Sequence, residues 1–246
     1  MAAIEGRNAV FEALRAGMPV RRIMIAEGTQ PDRTLDEIAR LAAEVGVEVA
    51  RVPKRELDRQ SERGSHQGVI ADAAPYKYAS LDAVLARAEG KERSLIIALD
   101  HITDPGNLGA IVRTAEVVGA DGVLVANRRA AAVTPAAYKA SAGALAHVAL
   151  AQEANIVRSL VRCKEEGYWI AGASEHAKQN VWVAPLEGRV VLVMGSEGEG
   201  LARLTRETCD FLVSLPQAGK VGSLNVAQAT TAIAYEWLRR AAATEA

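Results

Sequence analysis

Cysteine is nearly absent. Cys163 and Cys209 are the only two in 246 residues, they lie far apart, and neither belongs to a CxxC pair. That argues against a zinc site and a disulfide framework, so no metal is expected and a reducing compartment suits the chain. Net charge is nearly absent too: 29 Lys and Arg against 30 Asp and Glu leave −1. No global basic field advertises a polyanion. A nucleic acid would have to be met by local patches, and a small-molecule enzyme is equally compatible. No apolar run approaches the roughly 20 residues needed to span a bilayer. The opening MAAIEGRNAV puts Glu5 and Arg7 where a signal peptide needs an apolar core. Internal repeats and low-complexity tracts are missing as well, apart from alanine enrichment. The expectation is a soluble cytoplasmic protein with no membrane partner.

What is present is ordinary globular composition, 50% hydrophobic and 24% charged, enough for one large domain or two modest ones. The first part alternates helical and strand patterns. GRNAVFEALRAG reads as a helix, VRRIMIAE as a strand and PDRTLDEIARLAAEVG as a helix. VEVARV reads as a strand, KRELDRQSERG as a short charged helix ending at Gly64, and HQGVIADAAP as a turn entering a strand. Residues 1–74 thus form a small α/β module. Residues 75–93 supply a linker, centred on Ala74 to Ser80, and a lead-in helix that Ser80 can cap.

Residues 94–246 start a second alternation. SLIIALD, DGVLVA, AHVALA, YWIAGA, RVVLVMG and DFLVSLP are short apolar runs of the kind found in buried parallel strands, with helical segments between most of them. This predicts a doubly wound α/β domain. In such sheets ligands sit beyond the carboxyl ends of the strands, so the polar residues following each strand carry the interest.

Three segments stand out. In LDHITDPGNLGAIVRTAEVVGADGVLV a strand ends at Asp100, and a turn with Pro105 and Gly106 leads into a helix that Asn107 can begin. Six residues on a helix separate Asn107 and Arg113 by roughly 240°. They converge only if Asn107 lies off the helix; otherwise they read as a cap and a surface ion pair with Glu116. In VVLVMGSEGEGL a strand runs into Gly195, Gly198 and Gly200 with Glu197 and Glu199 between them. The order G-x-x-G-x-G is not the dinucleotide fingerprint, and the glutamates would repel a pyrophosphate. Such glycines suit close approach of an uncharged or cationic ligand to the backbone, or a plain turn. In FLVSLPQAGKVGSLNVAQATTA a loop after Pro216 leads to the last helix, which Ser223 or Asn225 starts; Ser223 by itself reads as a cap. Val226, Thr230, Ile233 and Trp237 then recur at helical spacing as a core-facing stripe.

Together these segments closely resemble the SpoU (TrmH) family of RNA ribose 2′-O-methyltransferases, within the SPOUT class. The family's first motif, Asn followed six positions later by Arg, matches Asn107 and Arg113. Its second, a strand leading into Gly-x-Glu-Gly-x-Gly, matches Gly195, Glu197, Gly198 and Gly200. Its third, Ser-Leu-Asn opening the last helix, matches Ser223, Leu224 and Asn225. The resemblance covers about Ser94 to Arg240. GRNAVFEALRAG and HQGVIA also resemble the L30e-like substrate-binding domain of the RlmB-like branch, which methylates a guanosine ribose in 23S rRNA.

The resemblance implies S-adenosylmethionine as methyl donor and a trefoil-knotted C-terminal domain that pairs as a homodimer. Gly195, Leu215 and Leu224 correspond to the cofactor lining, with Ala173 a further candidate, and the glycines there let backbone approach the cofactor. Asn107, Arg113, Glu197, Ser223 and Asn225 correspond to the catalytic set. The family assigns Arg113 as the base, an uncomfortable assignment because guanidinium remains protonated above about pH 12. Arg113 is better suited to gripping a phosphate and stabilising developing negative charge. In the first module Arg51, Lys54, Arg55, Arg59 and Arg63 crowd one region. They suit a phosphate-tracking patch on structured RNA, and equally a solvated helix face, since Glu56, Asp58 and Glu62 are interleaved. His66 and Gln67 read as turn residues. Alternatives within the resemblance are the same chemistry on transfer RNA or on an rRNA adenosine, and a non-catalytic RNA-binding or ribosome-assembly protein.

Overall fold

A strand that the sequence does not advertise, β1 (Ala2–Glu5), opens the chain in the computed structural model, which describes residues 2–61, 66–220 and 222–244. It is followed by α1 (Arg7–Arg15), β2 (Val20–Ala26), α2 (Arg33–Glu44), β3 (Glu48–Val52), α3 (Lys54–Gln60) and β4 (Val69–Ala73). The strands form one sheet in the order β1-β4-β2-β3; β4 runs antiparallel to both neighbours, and β2 pairs with β3 in parallel. α2 shows how the sequence builds these elements. Asp32 accepts a hydrogen bond from the Leu35 N–H at 2.9 Å, closing the helix start. Leu35, Ile38 and Ala42 then bury one face. Gly64, where the sequence reading ends the charged helix, lies outside the described residues; α3 itself ends at Gln60.

The remaining elements are α4 (Leu81–Arg87), β5 (Ser94–Leu99), α5 (Pro105–Val117), β6 (Gly122–Ala126), α6 (Pro135–Ser141), a 3-10 turn (Ala144–Ala146), β7 (Leu150–Glu153), α7 (Ile156–Glu165), β8 (Trp169–Ala173), β9 (Gln179–Asn180), β10 (Arg189–Met194), α8 (Arg203–Thr208), β11 (Phe211–Ser214) and α9 (Val226–Thr244). Seven strands make a second sheet, ordered β7-β6-β5-β10-β8-β11-β9, with every neighbouring pair parallel. All six residues of β5 are buried, as a central strand covered on both faces requires. Full burial of Ile96 and Ile97 contributes about 1.5–3 kcal/mol for each side chain. The run AHVALA yields a strand only from Leu150, because Ala144–Ala146 are taken into the 3-10 turn.

The chain divides into two compact units, Met1–Lys77 with Val133–Gly143, and Tyr78–Ala132 with Ala144–Ala246. The sequence reading places 94–246 in one domain, whereas Val133–Gly143, which carries α6, groups with the first unit. α6 packs on α1 there, and Lys139 pairs with Glu12 at 3.3 Å. In the second unit β10 lies beside β5 although β6, β7, β8 and β9 intervene in sequence. Strands are therefore added on one side of this pair by β6 and β7 and on the other by β8, β9 and β11, with all strands parallel. The loops after Leu99 and Met194 leave from the carboxyl ends of two adjacent central strands, where open parallel sheets hold ligands. Burial pushes the Cys163 and Cys209 thiols up to about 12, so neither is a thiolate nucleophile at neutral pH.

Candidate active site and cofactor cavity

Asn107 does not begin α5. Asp104 does, accepting the Asn107 N–H at 2.7 Å, with Pro105 in the first helical turn. This places Asn107 in that turn with its side chain turned toward the loop after β10. Asn107 Nδ2 donates to Glu197 Oε1 at 3.1 Å. Asn225 Nδ2 donates both to Asn107 Oδ1 at 2.9 Å and to Glu197 Oε1 at 2.8 Å. The Val226 N–H adds a longer bond to the same glutamate oxygen, 3.3 Å. Three side chains from three separate segments thus form one closed network.

Of the two residues that the sequence offers at the start of the last helix, Asn225 is the cap, and the reading of Ser223 as one is corrected. Asn225 Oδ1 accepts the Ala227 N–H at 2.9 Å, and its carbonyl accepts the Ala229 N–H. That bond also fixes the amide orientation: with Oδ1 held by a backbone donor, Nδ2 must face Asn107 and Glu197. Ser223 is two positions too early to cap. It is exposed and makes no hydrogen bond among the described residues. Behind the cap, Val226, Thr230, Ile233 and Trp237 are buried as their spacing predicts.

A cavity of about 460 Å³ adjoins this network, bounded by residues after β8, by the whole stretch Met194 to Leu201, and by the loop between β11 and α9. Ala173, Gly195, Leu215 and Leu224 all line it, as do Glu197, Ser223 and Asn225. Asn107 reaches it through its hydrogen bonds. Arg113 stands apart: it neither lines the cavity nor joins the network. It is exposed on α5 and has no ion pair among the described residues, Glu116 included.

Gly195, which lines the cavity, also has a steric reason of its own within the loop. A Cβ there would lie 2.2 Å from the Gly200 carbonyl carbon and 2.5 Å from the Leu201 nitrogen. The close approach is the loop's own backbone, closed by reciprocal Ser196–Gly200 hydrogen bonds of 3.0 Å. Gly200 meets a conformational demand instead, with φ +67.

Several residues beyond the predicted set shape the site. Asp100, 2% exposed, donates its N–H to the Met194 carbonyl at 2.8 Å and accepts the Ala202 N–H on Oδ2 at 2.7 Å. Its other oxygen meets His101 Nδ1 at 2.6 Å. It is the polar residue directly after β5, the position that the strand-end rule marks. Glu175, His176 and Arg206 also line the cavity; nothing in the sequence pattern distinguishes them from other surface charges.

In the first unit Arg51, Lys54, Arg55 and Arg59 are exposed, and none has an ion-pair partner among the described residues. Arg63 lies outside the described residues. Among the described residues neither Glu56 nor Asp58 pairs with any of the four: Asp58 is held by His66 Nε2 at 2.9 Å instead, and Glu62 lies outside the described residues. His66 Nδ1 accepts the Gly68 N–H at 3.0 Å, so Nε2 carries the donated proton. His66 is a turn residue, as expected, and a buried one.

Comparison with known proteins decides the family. Residues 94–235 match the model of the SpoU rRNA Methylase family. The chain belongs to this family. Residues 3–79 match a second model, RNA 2′-O ribose methyltransferase substrate binding. A Bacillus subtilis protein, YacO, named within the TrmH family of tRNA/rRNA methyltransferases, is 40% identical over 236 residues, 96% of this chain and 94% of that one. Among solved structures, the SpoU methyltransferase AviRb from Streptomyces viridochromogenes, crystallised with S-adenosylmethionine, superposes with a TM-score of 0.67 at 28% identity, covering 97% of this chain and 89% of its own. A crystal structure described as an RNA 2′-O ribose methyltransferase gives 0.62 at 26% identity, covering 97% and 88%. The chain is an S-adenosylmethionine-dependent RNA methyltransferase of the SpoU/TrmH family.

The cavity fits that cofactor. Its volume lies within the usual range for a small-molecule site, residues of three loops line it, and Glu175, Glu197 and Glu199 among them suit a sulfonium cation.

Proposed function

We propose that this chain methylates the 2′-hydroxyl of a ribose, in a guanosine of 23S ribosomal RNA, and that the cavity edged by Glu197 and Asn225 is where the methyl donor and the ribose meet. The observation that carries this reading is the Asn107–Glu197–Asn225 network on the wall of that cavity. The 2′ position and the ribosomal substrate are supported by the two family-model descriptions and by the solved 2′-O ribose methyltransferase.

The cofactor supplies an electrophilic methyl group on sulfonium. The protein's part is to hold and orient. Gly195, Leu215, Leu224 and Ala173 contribute the wall against which the cofactor packs. Asn107, Asn225 and Ser223 orient the ribose, with Glu197 fixed between the two asparagines. Arg113, which stays protonated, grips the phosphate beside the target ribose and stabilises charge developing on the attacking oxygen. Arg51, Lys54, Arg55, Arg59 and Arg63 track phosphates of the structured RNA. Two copies pair through the trefoil-knotted domain, bringing Arg113 of one protomer toward the other's cavity; Val117 on α5 and Tyr235 on α9, 55% and 47% exposed, supply apolar surface for that pairing. The enzyme works in the cytoplasm.

The test is methyl transfer from labelled S-adenosylmethionine to separated ribosomal and transfer RNAs. The product should resist alkaline cleavage at one site in 23S rRNA, and primer-extension stops should map that site to a guanosine. A second reading, transfer RNA as substrate, is favoured by the relative whose name covers both RNAs; label appearing in transfer RNA alone would establish it and overturn the first. A label on an adenosine would overturn the guanosine assignment. Cofactor binding without transfer to any RNA would point to a non-catalytic role.

A further inference from the structure

The charges around the cavity are not those of a general anion site. Glu175, Glu197 and Glu199 line it, against a single guanidinium, that of Arg206, and His176. On α8 the neighbouring Arg203 takes Glu207 as a two-pronged partner, Nη1 lying 2.8 and 3.0 Å from the two carboxylate oxygens. Arg206 is thereby denied the only acid on its own helix. It is exposed and has no ion-pair partner among the described residues, although three carboxylates line the same cavity.

The methyl donor brings two cations, sulfonium and ammonium, and one anion, the carboxylate of its amino-acid end. The inventory of this wall is the complement of that set. We propose that Arg206 binds the cofactor's carboxylate through its planar donor fork, and so fixes the amino-acid end of the molecule while the sulfonium is left to the loop after β10. This rests on the cavity being the cofactor site. A guanidinium is the natural partner because it donates two parallel hydrogen bonds to a carboxylate and stays charged at every working pH. An RNA phosphate is the poorer occupant here, since it would meet three carboxylates for one guanidinium.

The experiment is calorimetric and needs no turnover. S-adenosylhomocysteine carries the amino-acid end, and 5′-methylthioadenosine lacks it. With Arg206→Ala, the Kd for S-adenosylhomocysteine should rise about tenfold or more, while that for 5′-methylthioadenosine stays within about twofold. Arg206→Lys, which keeps the charge and loses the fork, should fall between. An equal change for both ligands, or none for either, overturns the proposal. Unchanged ligand binding with weakened RNA binding and a shallower salt dependence overturns it in favour of an RNA phosphate contact. Leu224→Ala separates failure of the proposal from failure of the site: it should weaken both ligands equally, and if it affects neither, the cavity is not where they bind.

Discussion

Asp100 and Ala202, far apart in sequence, are joined by a 2.7 Å hydrogen bond from the Ala202 N–H to a buried carboxylate oxygen. Because the Asp100 N–H also donates to the Met194 carbonyl, one residue grips both ends of the loop that presents Glu197. Asp100→Ala should leave the Ala202 N–H without a partner, at a cost of about 1–3 kcal/mol, and weaken cofactor binding several-fold. Asp100→Asn keeps an acceptor oxygen and should recover most of that affinity. Titration calorimetry with S-adenosylhomocysteine checks both; equal loss in the two variants would show that the hydrogen bond is not what matters.

Asn225 has two tasks that mutation can separate. Asn225→Ala removes the cap of α9, costing about 1 kcal/mol, and opens the network. Asn225→Asp keeps the acceptor for the Ala227 N–H but sets a carboxylate where Nδ2 now meets Glu197 at 2.8 Å. Turnover should drop by about a hundredfold or more in both, whereas the melting temperature should drop chiefly in the alanine variant. An active aspartate variant would remove the network from the mechanism.

Gly195→Ala should be far more harmful than Gly198→Ala. The first forces a Cβ to within 2.2 Å of Gly200 backbone, while at Gly198 a Cβ meets nothing and suffers only the strain of φ +94. Overpacking at Gly195 should cost about 1–3 kcal/mol and abolish measurable cofactor binding; the Gly198 variant should still bind. Thermal melts with and without S-adenosylhomocysteine distinguish them.

Glu236, buried on α9, bonds Arg239 at 2.8 Å and Arg240 at 2.8 Å, and these hold its carboxyl down to about 2 from 4.5. A depressed carboxyl stabilises the fold above its unfolded value and ceases to do so as pH falls through the folded one. The contribution should therefore be complete above about pH 5 and vanish on approach to pH 2. It amounts to about 1–2 kcal/mol once the solvent exposure of Arg239 is allowed for. Urea midpoints of Glu236→Gln should lie below the wild type at pH 7 and converge with it near pH 2; a constant offset would assign the effect to packing.

What could be read in the residue order was whatever depends on neighbours along the chain. The apolar runs became β5, β6, β8, β10 and β11, and Asn107, Glu197 and Asn225 did converge. Three matters were not legible, each for a physical reason. β1 is too short to show a period, and its pairing with β4 is long-range. The cap of α9 stayed open between Ser223 and Asn225 because Ser and Asn are equally good caps, and only three-dimensional geometry chooses between them. The reason for Gly195 lies in a contact with Gly200 across a closed loop, which no spacing rule announces. Arg113 marks the opposite situation. The motif names it with its asparagine, yet within one chain it neither joins the network nor lines the cavity.

The placement of Val133–Gly143 with the first unit bears on how the protein is made. A ribosome that has released residues 1–77 has not yet released α6, the helix that packs on α1. The N-terminal unit therefore waits for sequence that is translated after β5 and β6, the first two of the second sheet's seven strands. Expression of residues 1–77 alone should give a module with the α6-facing side of α1 left bare. Dissecting this enzyme into its parts calls for grafting the 133–143 segment, not for a single cut.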